Sequence, residues 1–448
     1  MTALISKRAK PLRGETAVPG DKSISHRALI LGAVSVGETR ISGLLASDDV
    51  LKTVQAIKAL GAQVEQADNG DWLIHGPGLG GLHEPSGVLD FGNSGTAARL
   101  MLGLLATHPL AATFSGDASL SGRPMERVMA PLRQMGAQFT ARTGGLLPIT
   151  VTGAKSPVPI VYELPVASAQ VKTAVLLAGL NTPGRTTVIE PEPTRDHTER
   201  MLSFFGAQVT VEEGPEGGKT ITLTGQPELE GHAVDVPGDI SSAAFPLVAA
   251  LLVADSKIEL TGVGVNPLRA GLIETLKDMG AKIDIKNLRD QGGEPVADLV
   301  VEASALKGVN VPADRAPSMI DEYPILAVAA SCAQGETRLQ GLAELRVKES
   351  DRLSAMERGL GEAGVDVTAT EDTLTIRGTG KNPPGGAKVS SELDHRIAMA
   401  FAVLGMVSEQ AVEIDGAATI ETSFPGFQGL MNGLGAAISS SNGSPKGD

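Results

Sequence analysis

The chain has 448 residues, a net charge of −14 and a hydrophobic content of 42%. That length calls for two or more domains with sizeable cores, and the acidity argues against a protein that coats nucleic acid or an anionic membrane. Aromatic residues make up only 3%, which removes the usual stacking platforms for single-stranded nucleic acid and leaves small aliphatic side chains to fill the cores.

Met1 to Lys10 carries charge but no apolar h-region, so no signal peptide is expected. The longest apolar runs, Phe245 to Ala254 and Ile397 to Val407, fall short of the ~18 residues a membrane span needs. A cytoplasmic protein is expected. The one cysteine, Cys332, excludes an intrachain disulfide framework and sits in a small apolar run, as a buried thiol would.

The first polar motif is Gly20-Asp21-Lys22-Ser23-Ile24-Ser25-His26-Arg27, with Lys22 and Arg27 flanking Ser23 at a loop-to-helix junction. Helix N-termini offer unpaired N–H groups and favour anions; a polar surface turn is the alternative. Val50, Leu51, Val54, Ile57 and Leu60 then line one helical stripe, with Ser47 as N-cap. Asn93-Ser94-Gly95-Thr96 runs into an apolar helix, where small residues let a ligand approach the backbone or where the serine merely caps. Arg123 precedes Pro124, so it is held out of helical geometry and projects from a turn, where its fork suits a carboxylate or phosphate.

Ser168, Ala169 and Gln170 precede the apolar segment Thr173 to Leu180. Pro193-Thr194-Arg195-Asp196-His197-Thr198 is a further polar turn into a helix, with His197 read as a structural partner rather than a catalyst. In the second half, Asp321 and Glu322 precede another buried stretch. Arg346-Val347-Lys348-Glu349-Ser350-Asp351-Arg352 is denser in charge. If helical, it puts Lys348 and Arg352 on one face and pairs Glu349 with Arg352, as a solvated salt-bridge face would. Asp394-His395-Arg396 enters the last apolar run. The histidines lack metal-ligand spacing, so no metal is expected. The tail from Ser439 onward reads as disordered.

An internal repeat organises these motifs. Gly61, Gly136, Gly206, Gly280, Gly364 and Gly435 each end an amphipathic segment and lie 70 to 84 residues apart. Each sits where a helix wants a left-handed residue. The repeated unit reads as helix, strand, turn, strand, an α/β unit present six times. Val18-Pro19-Gly20-Asp21 recurs as Val236-Pro237-Gly238-Asp239, with three units between the copies and three after them. The expected fold class is therefore α/β, with two similar domains of three units each. Their division is 19–238 against 1–18 plus 239–448, joined by a two-strand hinge at the Pro-Gly turns.

The motifs above, in this order, resemble the 5-enolpyruvylshikimate-3-phosphate synthase family over about residues 3 to 438, and Ser168-Ala169-Gln170 and Asp321-Glu322-Tyr323 resemble its class II branch. The resemblance implies the family's inside-out barrel domains and transfer of an enolpyruvyl group from phosphoenolpyruvate to the 5-hydroxyl of shikimate 3-phosphate. It implies that Lys22, Ser23, Arg27, Ser168, Ala169, Gln170, Arg195, Asp321 and Lys348 hold shikimate 3-phosphate. Lys22, Gly95, Arg123, Gln170, Arg352 and Arg396 would hold phosphoenolpyruvate. Asp321, Glu349 and Lys22 would be catalytic, with Asp321 taking the hydroxyl proton and Glu349 serving the methylene carbon.

Two such substrates carry roughly five negative charges, each worth about 4 kcal/mol against a cation at ~4 Å and an effective dielectric of 20. Lys22, Arg27, Arg123, Arg195, Lys348, Arg352 and Arg396 supply seven cations to meet them. In the family a methyl at the position of Gly95 narrows the pocket against glyphosate, so the glycine here implies sensitivity. The family's lysine near the C-terminus is absent: Thr422 stands where it would align. No cofactor is implied, the partners are the two small molecules, and a monomer is expected.

Two other readings compete. A UDP-N-acetylglucosamine-type enolpyruvyl transferase shares the fold but carries a cysteine in most members before the Arg-Pro pair, and the loop Ala118 to Arg123 has none. An RNA 3′-phosphate cyclase-type protein on a similar repeat fits poorly with the acidity, the few aromatics and the carboxylate motifs.

Overall fold

The structure is a computed structural model and describes residues 3–441. The chain divides into two compact units. One comprises Gly20–Val236 with Asp290–Glu294, and the other the described residues up to Pro19, Pro237–Arg289 and those from Pro295 onward. Each has its own hydrophobic core.

Among the described residues six four-stranded sheets follow one plan, three in each unit. A short edge strand pairs parallel with a second strand, which pairs antiparallel with a third, itself antiparallel to a fourth; the last two form a hairpin except where Leu4–Lys7 takes the third place. The middle sheet of the first unit shows it: Leu89–Asp90 is parallel to Ala111–Ser115, which is antiparallel to Leu146–Thr152, which is antiparallel to Gln138–Arg142. The hairpin Gln63–Gln66 with Trp72–His75 is the strand, turn, strand part of one repeat. The N-terminal strands complete two sheets of the other unit. Leu4–Lys7 lies between Val412–Asp415 and Ala437–Ser440, and Arg13–Ala17 pairs parallel with Lys257–Gly264.

The repeated unit is larger than the sequence suggested, because it includes a second helix ahead of the amphipathic one. These extra helices are Lys22–Val34, Gly95–Leu105 and Ala169–Leu180 in one unit, and Ile240–Leu252, Tyr323–Cys332 and His395–Val407 in the other. They are buried on nearly every side and so carry no polar stripe for a periodicity reading to find. Their packing is tight where aromatics are scarce. A Cβ on Gly103 would lie 2.4 Å from the carbonyl oxygen of Ala174, so the helices meet at bare backbone.

The six repeat glycines all take positive φ, from 81° at Gly364 to 121° at Gly435, as helix C-termini prefer. Both Val-Pro-Gly-Asp copies end in a capping aspartate. Asp21 accepts from the N–H of Ile24 and Asp239 from that of Ser241.

Local expectations differ in four places. Ser47 occupies the N-cap position of Asp48–Ala59 but makes no capping hydrogen bond. The segment 345–352 is not one helix: a 3-10 turn ends at Val347, Lys348 is extended and the helix starts at Arg352. Cys332 is half-buried rather than sealed, although burial pushes its thiol up to about 11. Ser439 and Ser440, expected in a disordered tail, close the strand Ala437–Ser440, and the remainder of that tail from residue 442 lies outside the described residues.

Candidate active site

The N-termini of the buried helices carry most of the expected residues, because each helix begins where a polar loop leaves its sheet. In the first unit, Lys22 and Ser23 open Lys22–Val34 behind the Asp21 cap. Ser94 caps Gly95–Leu105 and Ser168 caps Ala169–Leu180, each through its own hydroxyl. Side chains tie the three ends together. Gln170 donates to Thr96 Oγ1 at 3.0 Å and accepts from Arg99 Nη1 at 3.1 Å. Arg27, almost wholly buried, donates to the Ser23 carbonyl, Thr173 Oγ1 and Thr198 Oγ1 at 2.8–2.9 Å.

Lys22 Nζ sits 2.8 Å from Asp49. Arg123 leaves the turn before Glu126–Gln134 and is held by Asn93 and Ser119, each at 2.9 Å. Gly95 lies beside it: a Cβ there would be 2.8 Å from Arg99 Nη1 and 3.4 Å from Arg123 Nη1. Arg195, in the loop before His197–Phe204, is close enough to Arg27 to lower its pKa further, although burial is the larger cause of the fall to about 10. Burial lowers the pKa of His26, next in sequence to Arg27, to about 3, so the imidazole is neutral; its Nδ1 meets Thr53 Oγ1 at 2.7 Å. His197 is a structural partner, with its Nδ1 2.7 Å from Glu294 Oε1.

The second unit gathers Asp321, Lys348, Glu349, Arg352 and Arg396. Asp321, half-buried, has Arg352 at 3.2 Å, Lys348 at 3.7 Å, Arg269 at 3.8 Å and Arg396 at 4.0 Å. Arg352 is the hub. Its Nη2 lies 2.6 Å from Glu349, its Nη1 3.2 Å from Asp321 and its Nε 2.8 Å from Asp394. Burial alone would lower its pKa, but the carboxylates of Asp394, Glu349 and Asp321 outweigh burial and raise it. Asp394 is pushed the other way: burial resists its ionisation, Arg352 more than offsets that, and its pKa falls. Arg396 lies in the first turn of the helix that Asp394 caps, and reaches the Asp321 carbonyl at 3.1 Å.

The pairing of Glu349 with Arg352 thus forms as the spacing suggested, without the helix and without the solvated face, since Arg352 is 1% exposed. Sequence reasoning missed Arg269, Arg99, Asp49 and the threonines Thr173 and Thr198. Arg269 was findable. It follows Asn266-Pro267-Leu268 in a polar turn ahead of the helix Gly271–Asp278, the setting shared by several of the expected residues. Thr173 sits in an apolar helix and carried no signal, and Thr198 lay in the polar turn 193–198 without being assigned a role.

The chain as a whole has relatives among known proteins. A sequence model described as EPSP synthase (3-phosphoshikimate 1-carboxyvinyltransferase) matches residues 6–431. The chain is 62% identical over 439 residues to the 3-phosphoshikimate 1-carboxyvinyltransferase of Paramagnetospirillum magneticum, covering 98% of both chains. It is 61% identical to that of Rhodospirillum rubrum, covering 97% of this chain and 98% of the relative. A solved structure of EPSP synthase from Acinetobacter baumannii superposes with a TM-score of 0.89 at 45% identity, over 98% of this chain and 100% of that one. Sequence and fold agree, and the chain belongs to the EPSP synthase (3-phosphoshikimate 1-carboxyvinyltransferase) family.

Proposed function

We propose that the reaction of this family is carried here by both residue sets acting on one pair of substrates. The chain is a transferase of the shikimate pathway: it moves the enolpyruvyl group of phosphoenolpyruvate to the 5-hydroxyl of shikimate 3-phosphate and releases phosphate. Lys22, Ser23, Arg27, Ser168, Ala169, Gln170 and Arg195, with Asp321 and Lys348, bind shikimate 3-phosphate. Lys22, Gly95, Arg123, Gln170, Arg352 and Arg396 bind phosphoenolpyruvate.

Asp321 accepts the 5-hydroxyl proton as that oxygen bonds to C2 of phosphoenolpyruvate, while Glu349 delivers a proton to the methylene carbon. The tetrahedral adduct then loses phosphate: Glu349 takes back a proton from the new methyl group, the double bond re-forms, and Lys22 meets the charge on the departing phosphate. The observation that carries this assignment is the span of Arg352, which holds Glu349 on one terminal nitrogen and Asp321 on the other. One buried cation thereby keeps an acid and a base a guanidinium's width apart.

The same reading has the protein working as a cytoplasmic monomer on small molecules, with no cofactor and no nucleic acid. Among the described residues no helix is long and apolar enough to cross a membrane. Phosphate released from phosphoenolpyruvate in the presence of shikimate 3-phosphate tests the reading. Turnover with UDP-N-acetylglucosamine and none with shikimate 3-phosphate would overturn it.

A further inference from the structure

Lys172 is completely buried. Its ammonium donates to Glu190 Oε2 at 2.8 Å and to the Thr194 carbonyl at 3.3 Å, and lies 2.7 Å from Glu199 Oε1. These acceptors match its three protons. Glu190 and Glu199 are also buried, and Glu190 accepts from the Thr194 hydroxyl as well. The next residue repeats the pattern with hydroxyls: Thr173 Oγ1 lies 2.6 Å from Thr198 Oγ1. Residues 172 and 173 therefore make two successive rungs, to 199 and 198, between Ala169–Leu180 and His197–Phe204. The outer rung receives the guanidinium of Arg27 at 2.8 Å from each threonine. Thr194, held by the inner rung, immediately precedes Arg195.

Buried ion sets are poor stabilisers, since apolar residues of similar volume often do as well. A second role is needed to account for three buried charges beneath binding residues. We propose that Lys172, with Glu190 and Glu199, is a positioning set for the shikimate 3-phosphate residues of this unit: it fixes the threonine hydroxyls that aim Arg27 and the loop that carries Arg195. The inference rests on the substrate reading above. Glu199 also offsets the burial of Arg27 electrostatically, although that burial dominates.

Two variants separate positioning from stability. Glu199→Gln keeps the shape and removes one charge, and Lys172→Met/Glu199→Leu removes one charge of each sign. For each, the affinity for shikimate 3-phosphate alone is measured by titration calorimetry, the KM for phosphoenolpyruvate at saturating shikimate 3-phosphate, and stability by urea unfolding. The expected result is a loss of about tenfold or more in shikimate 3-phosphate affinity, with the KM for phosphoenolpyruvate within about twofold, even where the unfolding midpoint is retained. Should the double variant fail to fold, Lys172→Arg keeps the charge, displaces the rung and is expected to give a smaller loss of the same kind. Wild-type affinity in the folded variants, or equal losses for both substrates, would overturn the proposal. A wild-type protein that does not bind shikimate 3-phosphate would instead remove the reading beneath it.

Discussion

Arg352 and Asp394 meet at 2.8 Å with both side chains sealed from solvent, 1% and 0% exposed. The same carboxylate caps the helix His395–Val407 by accepting from the N–H of Arg396 at 2.9 Å. One aspartate therefore orients two arginines, Arg352 through its side chain and Arg396 through its backbone. Removing the carboxylate leaves a buried guanidinium undercompensated and a helix uncapped. Asp394→Ala is expected to lower the unfolding free energy by about 3–5 kcal/mol. Asp394→Asn, which can still cap, should lose less stability and still raise the KM for phosphoenolpyruvate. Urea unfolding with steady-state kinetics checks both, and an alanine variant as stable as wild type would count against this account of the pair.

A methyl on Gly95 would arrive 2.8 Å from Arg99 Nη1, a flexible side-chain end that can move. Gly95→Ala should cost little stability. Moving Arg99 disturbs its bond to Gln170, and the methyl also crowds Arg123. The KM for phosphoenolpyruvate is expected to rise several-fold, about 1 kcal/mol of lost binding, and the glyphosate inhibition constant to rise more. Wild type should be inhibited by glyphosate in competition with phosphoenolpyruvate. No inhibition at millimolar glyphosate would refute the expectation.

His26 makes stability depend on acidity. Burial lowers its pKa from 6.5 to about 3 in the folded chain, whereas the unfolded chain takes up the proton near the ordinary value. Between those limits the unfolded state binds more protons, so stability is complete above about pH 6.5 and falls as the pH drops. At 1.36 kcal/mol per pH unit, the loss from this residue between about pH 6.5 and about pH 5 is about 2 kcal/mol. His26→Gln, which can keep the bond to Thr53, removes this dependence. Urea unfolding near neutrality and near pH 5 should show wild type losing about 2 kcal/mol more than the variant; parallel losses would contradict the assignment.

Arg269 is a further cation at Asp321, held by Ser241 at 2.8 Å and Asp239 at 3.4 Å. It touches the proposed base without being among the residues assigned to either substrate. Arg269→Gln is expected to lower kcat by about tenfold and leave the KM for phosphoenolpyruvate nearly unchanged. A KM effect without a kcat effect would place Arg269 in binding instead.

Much of the architecture was legible in the sequence because it rests on local chemistry. The repeat glycines mark helix ends that need positive φ, and the two Val-Pro-Gly-Asp turns carry their own caps. The buried helices were not legible as elements of the repeat, since a segment such as Ala169–Leu180 is buried on nearly every side and has no polar stripe to detect. The candidate site residues were legible as motifs and illegible as a network. Lys348, Glu349 and Arg352 declare charge, but nothing near them in sequence says that Asp394 and Asp321 bury Arg352. Arg269 meets Asp321, and Thr198 meets Arg27, across long stretches of chain.

The most direct test uses one variant from each unit, Lys22→Ala and Asp321→Asn, with circular dichroism and urea unfolding confirming that each is folded. Phosphate release from phosphoenolpyruvate is measured with and without shikimate 3-phosphate. Wild type should release phosphate only with shikimate 3-phosphate present, in step with the enolpyruvyl product, and each variant should lose about a hundredfold or more of that rate. Wild-type rates in either folded variant would contradict the claim that both units supply residues to one reaction.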